Sequence, residues 1–352
     1  MARLVLAFFC LICCCIVASA QTDASQRMSF QGEGPKPEFA VILGTAWTIY
    51  ASGPIDVDAG NRFRKYLNDN RVPPHSFVYL DSRGGSVVGG INLGRVFREY
   101  NLEVDVGRHS SGQTQQGECF SACALAFLGG EFRYLKKGSR YGVHRFSFPN
   151  DASTNIDVTQ VLFAAIAEYV RSMDVDPSLL GLSAITASED MAEPSASQLL
   201  EWRVINNGFS SPKWTLESVP EGVYLKGERN TRYGINKFIL GCDDGRPMLY
   251  VIIDPQGRGE LITGFRADSL YVDGRALRIE NLLLRKRLVN GWVNATYILP
   301  DTYLNFLRAA KKSVGVTMQG GYDAGIFFGF DAMPFDEGIK KLPGFLRTCK
   351  RS

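Results

Sequence analysis

Along residues 39–208 short apolar runs alternate with stretches whose apolar positions recur at helical spacing. The runs at Phe39–Tyr50, Phe77–Leu80, Leu102–Val106, Phe132–Leu135 and Tyr141–Phe146 predict strands. Helical spacing predicts helices over Ile55–Leu67, Val87–Phe97, the run after Ser121, Val158–Met173 and Ser195–Trp202. Strands that alternate with helices argue for a parallel sheet with crossover helices, an α/β domain.

Beyond about Ser210 the rhythm changes. Segments rich in Val, Ile, Tyr and Phe recur at Gly222–Lys226, Asn236–Leu240, Met248–Ile253, Leu261–Phe265 and Trp292–Leu299. The pairs Asp244-Gly245, Asp273-Gly274 and Asn290-Gly291 punctuate them as hairpin turns. Residues 214–352 are therefore expected to form a mainly antiparallel β domain, with helices near Pro300–Ser313 and Asp336–Cys349. Gly208–Lys213 reads as the linker.

The N-terminus reads as a targeting segment. Arg3 precedes an apolar run from Leu4 to Val17, and Ala18-Ser19-Ala20 offers a small-x-small cleavage site before Gln21. Bulky residues before Cys10 and Cys13–Cys15 argue against lipidation. Residues 1–20 are thus expected to be a signal peptide, 21–38 a flexible lead-in, and the mature chain exported, with a bacterial periplasm suiting the compact signal. A formal charge of +3, with no basic stripe carrying interleaved aromatics, gives no case for a nucleic-acid partner.

Four cysteines survive cleavage: Cys119, Cys123, Cys242 and Cys349. In an oxidising compartment an even number suggests two disulfides. Of the three pairings, proximity favours Cys119–Cys123, leaving Cys242–Cys349. Free thiols, or a metal site formed with His144, are weaker alternatives, and no metal or cofactor is expected.

Candidate chemistry gathers in the N-terminal half. Gly117-x-x-x-Ser121 leads directly into the apolar run Ala122–Leu128, so Ser121 stands where unpaired helix N–H groups point. Upstream, the strand Phe77–Asp81 runs into Ser82-Arg83-Gly84-Gly85; downstream, Gly142-Val143-His144 places a histidine on another short strand. A nucleophile, a base and main-chain donors are the parts acyl transfer needs. The bland reading of Ser121 is an N-cap, and that of His144 a satisfied strand histidine. Of the other two histidines, His75 lies in a Pro-Pro turn and His109 in the polar loop Arg108–Glu118.

These three motifs, in this order, resemble the ClpP/crotonase superfamily, specifically its ClpP-like serine peptidase branch, over residues 39–208. The resemblance implies a Ser121 nucleophile, a His144 base, oxyanion donors from the N–H groups of Gly85 and Ala122, and a turn shaped by Gly84. The family's acid falls nearest Asp190, offset by about one residue, with Glu189 as competitor. Arg83 replaces the family's usual proline. In that family the segment corresponding to Val158–Met173 mediates assembly, so a homo-oligomer is a further expectation. The expected activity is an ATP-independent serine hydrolase, a peptidase acting on peptide or protein substrates without an ATPase partner. A catalytically silent binding or scaffold protein of the cell envelope is the alternative. Acyl-CoA chemistry of the crotonase type is disfavoured outside the cytoplasm, and the partner of the C-terminal domain is unknown.

Overall fold

The structure is a computed structural model, and it describes residues 27–35, 46–146, 156–220 and 222–349. The expected signal segment 1–20 and its cleavage site lie outside the described residues.

The N-terminal half begins with strands β1 (Ser29–Glu33) and β2 (Thr48–Ser52), then helix α1 (Ala59–Asn70), β3 (Phe77–Asp81), α2 (Val87–Glu99) and β4 (Glu103–Val106). With β8 (Phe132–Arg133) these strands form a sheet in the order β1-β2-β3-β4-β8, antiparallel only at β1. Period-two burial explains the strands: Ile49 and Ala51, Val78 and Leu80, Val104 and Val106 all turn into the core. Phe63 and Leu67 of α1 and Leu93, Val96 and Phe97 of α2 fill the same core.

The lead-in expected over residues 21–38 needs correction at residues 29–33, which are β1. Its polar composition carries no apolar alternation. What recruits it is the free edge of β2, together with Phe30, whose ring lies 4.8 Å from Phe63. The expected polar loop is also ordered, as a hairpin of β5 (Arg108–Ser110) and β6 (Gln113–Gln115). Ser111 and Gly112 make its two-residue turn with φ of 52° and 73°. Tyr50 and Thr114 pin it to the sheet through a 2.6 Å hydroxyl contact.

A second, two-stranded parallel layer pairs β7 (Glu118–Phe120) with β9 (Arg140–Gly142). Helix α3 (Ala122–Leu128) leaves β7 and is buried along its whole length. Helices α4 (Ile156–Ser172), α5 (Ser178–Ile185) and α6 (Ala196–Glu201) complete this half, the last opened by a Ser195/Gln198 capping box.

Two antiparallel sheets form the C-terminal half. The chain runs through β10 (Lys213–Val219), β11 (Gly222–Thr231), β12 (Gly234–Asp243), β13 (Arg246–Ile253), α7 (Gly259–Thr263), β14 (Ala267–Val272) and β15 (Arg275–Arg278). It continues as β16 (Leu283–Val289), β17 (Trp292–Ile298), α8 (Asp301–Ala309), β18 (Ser313–Gln319), β19 (Phe328–Pro334) and α9 (Asp336–Cys349). Six strands pair as β10-β11-β12-β13-β17-β16 and four as β15-β14-β18-β19. At the three turn pairs read from the sequence both residues have positive φ, as type I′ hairpins require. The strand expected at Leu261–Phe265 is instead α7, with Ile262 buried and Leu261 exposed. So short an apolar run does not distinguish the two.

A buried polar contact joins the sheets: Lys286 Nζ of β16 lies 2.7 Å from Asp268 Oδ1 of β14, and the Tyr297 hydroxyl of β17 donates to Asp268 Oδ2 at 2.8 Å. The Cys242–Cys349 disulfide ties β12 to α9 across a separation of 107 residues. Closing a loop of that length stabilises by about 4.7 kcal/mol in the chain-entropy argument.

Candidate active site

Ser121 occupies the single residue between β7 and α3, with φ 58° and ψ −121°. Non-glycine residues avoid this backbone region, and it persists only where surroundings enforce it. The Ser121 N–H donates to Gly142 O of β9 at 3.1 Å, and Ala124 N–H donates to Ser121 O at 2.9 Å. The Ser121 side chain makes no capping hydrogen bond, so the N-cap reading does not hold.

The glycine turn lies against this elbow. Gly84 and Gly85 have φ of 109° and 139°. A methyl at Gly84 would come within 2.7 Å of Ser121 Cβ and 3.2 Å of Ala122 N; one at Gly85 would meet Ile55 O at 2.3 Å. Only glycine allows both the positive φ and the approach. Ile55 N–H bonds Gly84 O and Ser86 N–H bonds Ile55 O, which anchors the turn from behind. The N–H groups of Gly85 and Ala122 donate to no protein acceptor among the described residues. Two unspent main-chain donors therefore stand at the elbow and in the turn packed against it, the kind of donor an oxyanion site needs.

Strand register brings the segment that carries His144 alongside the elbow. Phe120 is opposite Gly142, so the segment following β9 runs beside the elbow. Val143 pairs with Ala192, Arg145 N–H bonds Thr186 O, and Ser183 Oγ donates to His144 O at 2.7 Å. His144 Nδ1 is buried without a hydrogen-bond partner. No hydrogen bond joins Ser121 Oγ to the His144 ring among the described residues.

The acid expected at Asp190 is not in place. Asp190 is exposed, its N–H closes a turn onto Ala187 O, and its carboxylate bonds nothing among the described residues. Glu189 is exposed too and accepts from Ser188 Oγ. The turn at 187–190 aims both carboxylates outward, although the flanking residues frame His144. The loop flanks the His144 segment, and its turn decides where the carboxylates point.

Sequence reading missed a chain of ion pairs that runs across the three motifs and on to the segment after the acid loop. Arg83 of the glycine turn meets Glu118 of β7 at 3.2 Å, Glu118 meets Arg140 of β9 at 2.7 Å, and Arg140 meets Glu193 beyond the acid loop. Slight burial pushes the Glu118 carboxyl up, and the guanidinium groups of Arg83 and Arg140 outweigh it, holding it below the usual carboxylate range. The one hint was the charge beside each motif.

Cys119 and Cys123 are joined in a disulfide, as are Cys242 and Cys349. Bonded to each other, Cys119 and Cys123 offer no thiolate in this structure, and no group of three or more His, Cys, Asp or Glu placed to hold a metal ion occurs among the described residues. Two recesses flank the site. An open cleft of about 650 Å³ is walled by Ser82, Gly84, Arg83, Arg108 and Arg140, and an apolar pocket of about 240 Å³ beside Arg145 is lined by Phe146, Leu162, Ile166 and Leu180. No helix of the described residues is long and apolar enough to cross a membrane.

No family model matches the chain, and no curated protein matches it. Among solved structures, a mutant of the 1510-N membrane-bound stomatin-specific protease is similar at 16% identity and a TM-score of 0.31, over 45% of this chain and 75% of that one. So partial a likeness decides nothing about activity, which has to be read from the site.

Proposed function

We propose that residues 39–208 form a ClpP/crotonase-like domain and that the chain is a serine hydrolase, a peptidase acting through an acyl-enzyme. The observation that carries this is the Ser121 elbow, with unspent N–H groups at Ala122 and in the glycine turn packed against it, and the His144 segment in register beside it. Ser121 Oγ attacks the substrate carbonyl and passes its proton to His144. The oxyanion is held by Gly85 and Ala122 N–H, and the protonated imidazole then releases the leaving amine. Water, activated by the same histidine, cleaves the ester. His144 works here without a bonded acid, and its hydrogen bond with Ser121 Oγ forms on substrate binding, since catalytic hydrogen bonds are often long in resting sites.

The apolar pocket beside Arg145 suits an apolar side chain of a peptide substrate. We assign the chain to an oxidising compartment, the periplasm in a bacterial host, where its disulfides persist and ATP is absent. Exposed Val161 and Phe163 on α4 suit a contact with a second copy. The C-terminal β domain acts as an accessory module.

A fluorophosphonate probe tests the reading: the oxidised protein should be labelled at Ser121, and Ser121→Ala should abolish labelling. The unpartnered Nδ1 of His144 favours a second reading, a silent protein that keeps the fold for binding. Absence of labelling in the folded wild type would decide for it.

A further inference from the structure

Cys119 and Cys123 bracket Ser121 by two residues on each side. Cys119 is the middle residue of β7, where it pairs with Tyr141 of the histidine layer and bridges to Ser82 of the glycine turn. Cys123 is the second residue of α3. Their disulfide therefore ties the strand shared by the two other motifs to the first turn of the helix that follows the nucleophile. Ser121, in between, holds a backbone conformation that serine would otherwise leave.

Stability gives the bond little reason to exist. A separation of four residues constrains the unfolded chain far less than the 107 residues between Cys242 and Cys349. Both cysteines are fully buried, in a core already filled by Phe127, Leu125 and Tyr141. The covalent link adds something packing does not: it removes the elbow's freedom to relax.

Resting on the hydrolase reading, we infer that the Cys119–Cys123 disulfide positions the nucleophile, so that the site becomes competent only when the bond has formed. The chain is then inert where thiols stay reduced and is switched on by oxidation. A disulfide-bearing oxidant accepts the two electrons and two protons, leaving as two thiols while Cys119 Sγ and Cys123 Sγ join. Such a dependence confines hydrolysis to an oxidising compartment.

The test compares fluorophosphonate labelling of three full-length proteins: wild type, Cys119→Ala/Cys123→Ala, and Cys242→Ala/Cys349→Ala. The first pair of substitutions should slow labelling by about 10- to 100-fold, the factor expected when a strained conformer is no longer enforced, with a small change in unfolding midpoint. The second pair should lower the midpoint and leave labelling unchanged. If the Cys119→Ala/Cys123→Ala protein does not fold, partially reduced wild type serves instead. Labelling and alkylation are then read on the tryptic peptide His109–Arg133, which carries Ser121 and both cysteines. Labelled peptide should contain the intact disulfide and alkylated peptide should lack the label. Equal labelling of the oxidised and reduced forms overturns the inference and leaves the hydrolase reading standing. Absence of label in oxidised wild type overturns both.

Discussion

Gly84 and Ser121 approach so closely that a methyl on Gly84 would lie 2.7 Å from Ser121 Cβ, although 36 residues of chain separate them. That contact sets the turn bearing one main-chain donor against the elbow that presents the hydroxyl. Gly84→Ala would require Ser121, Phe120 O or the turn to move, and the φ of 109° adds strain. Displacement of about 1 Å at a reacting group costs about 10²-fold. Fluorophosphonate labelling of Gly84→Ala should fall by about that factor while the protein stays folded by circular dichroism.

His144 and Asp190 should separate cleanly. Removing a positioned general base costs about 10²–10⁴-fold, so His144→Gln should slow labelling within that range. Asp190→Asn should change it by less than about 3-fold, because the carboxylate is exposed and bonded to nothing in the described residues. A loss near 10⁴ for Asp190→Asn, as expected of a working acid, would show that the 187–190 turn refolds onto His144.

Acid should loosen the clasp of Arg83, Glu118, Arg140 and Glu193. The folded Glu118 carboxyl lies below its ordinary value of 4.5, so its contribution is fully present above that value and fades as pH falls through the lower folded one. Between about pH 6 and pH 3 the unfolding midpoint of wild type should therefore drop more than that of Glu118→Gln. Parallel curves would show that the pairs contribute nothing measurable.

In the β domain, Lys286→Met would leave Asp268 buried with only Tyr297 as a side-chain partner. Burial pushes the Lys286 ammonium below its ordinary value, against the opposing pull of Asp268. Breaking a buried pair from one side costs about 3–5 kcal/mol, which urea unfolding would register. Replacing both, Lys286→Met with Asp268→Leu, should recover much of the loss, since no charge is then stranded.

Much of the candidate site was legible because its backbone geometry needs particular residue types at particular local spacings. Gly84 and Gly85 stand where positive φ is obligatory, and Ser121 stands between an extended run and a helical one. What could not be read was orientation. The loop holding Asp190 flanks the His144 segment, yet a turn of four residues sends the carboxylate to solvent. The Arg83–Glu118–Arg140–Glu193 chain was hidden for the same reason, since each charge is unremarkable on its own segment.

The amino-acid sequence alone determined the alternation of strands and helices, the type I′ turns and the positions of the candidate residues Gly84, Gly85, Ser121 and His144. Those properties depend on side-chain volume, polarity and backbone freedom over a few consecutive positions. Only the tertiary structure decided that Ser29–Glu33 joins the sheet, that Leu261 lies in a helix, and that Gly84, Ser121 and the His144 segment meet. Pairing with a free strand edge, and contact across dozens of residues, are settled by which partner the folded chain presents, and no local pattern carries that information.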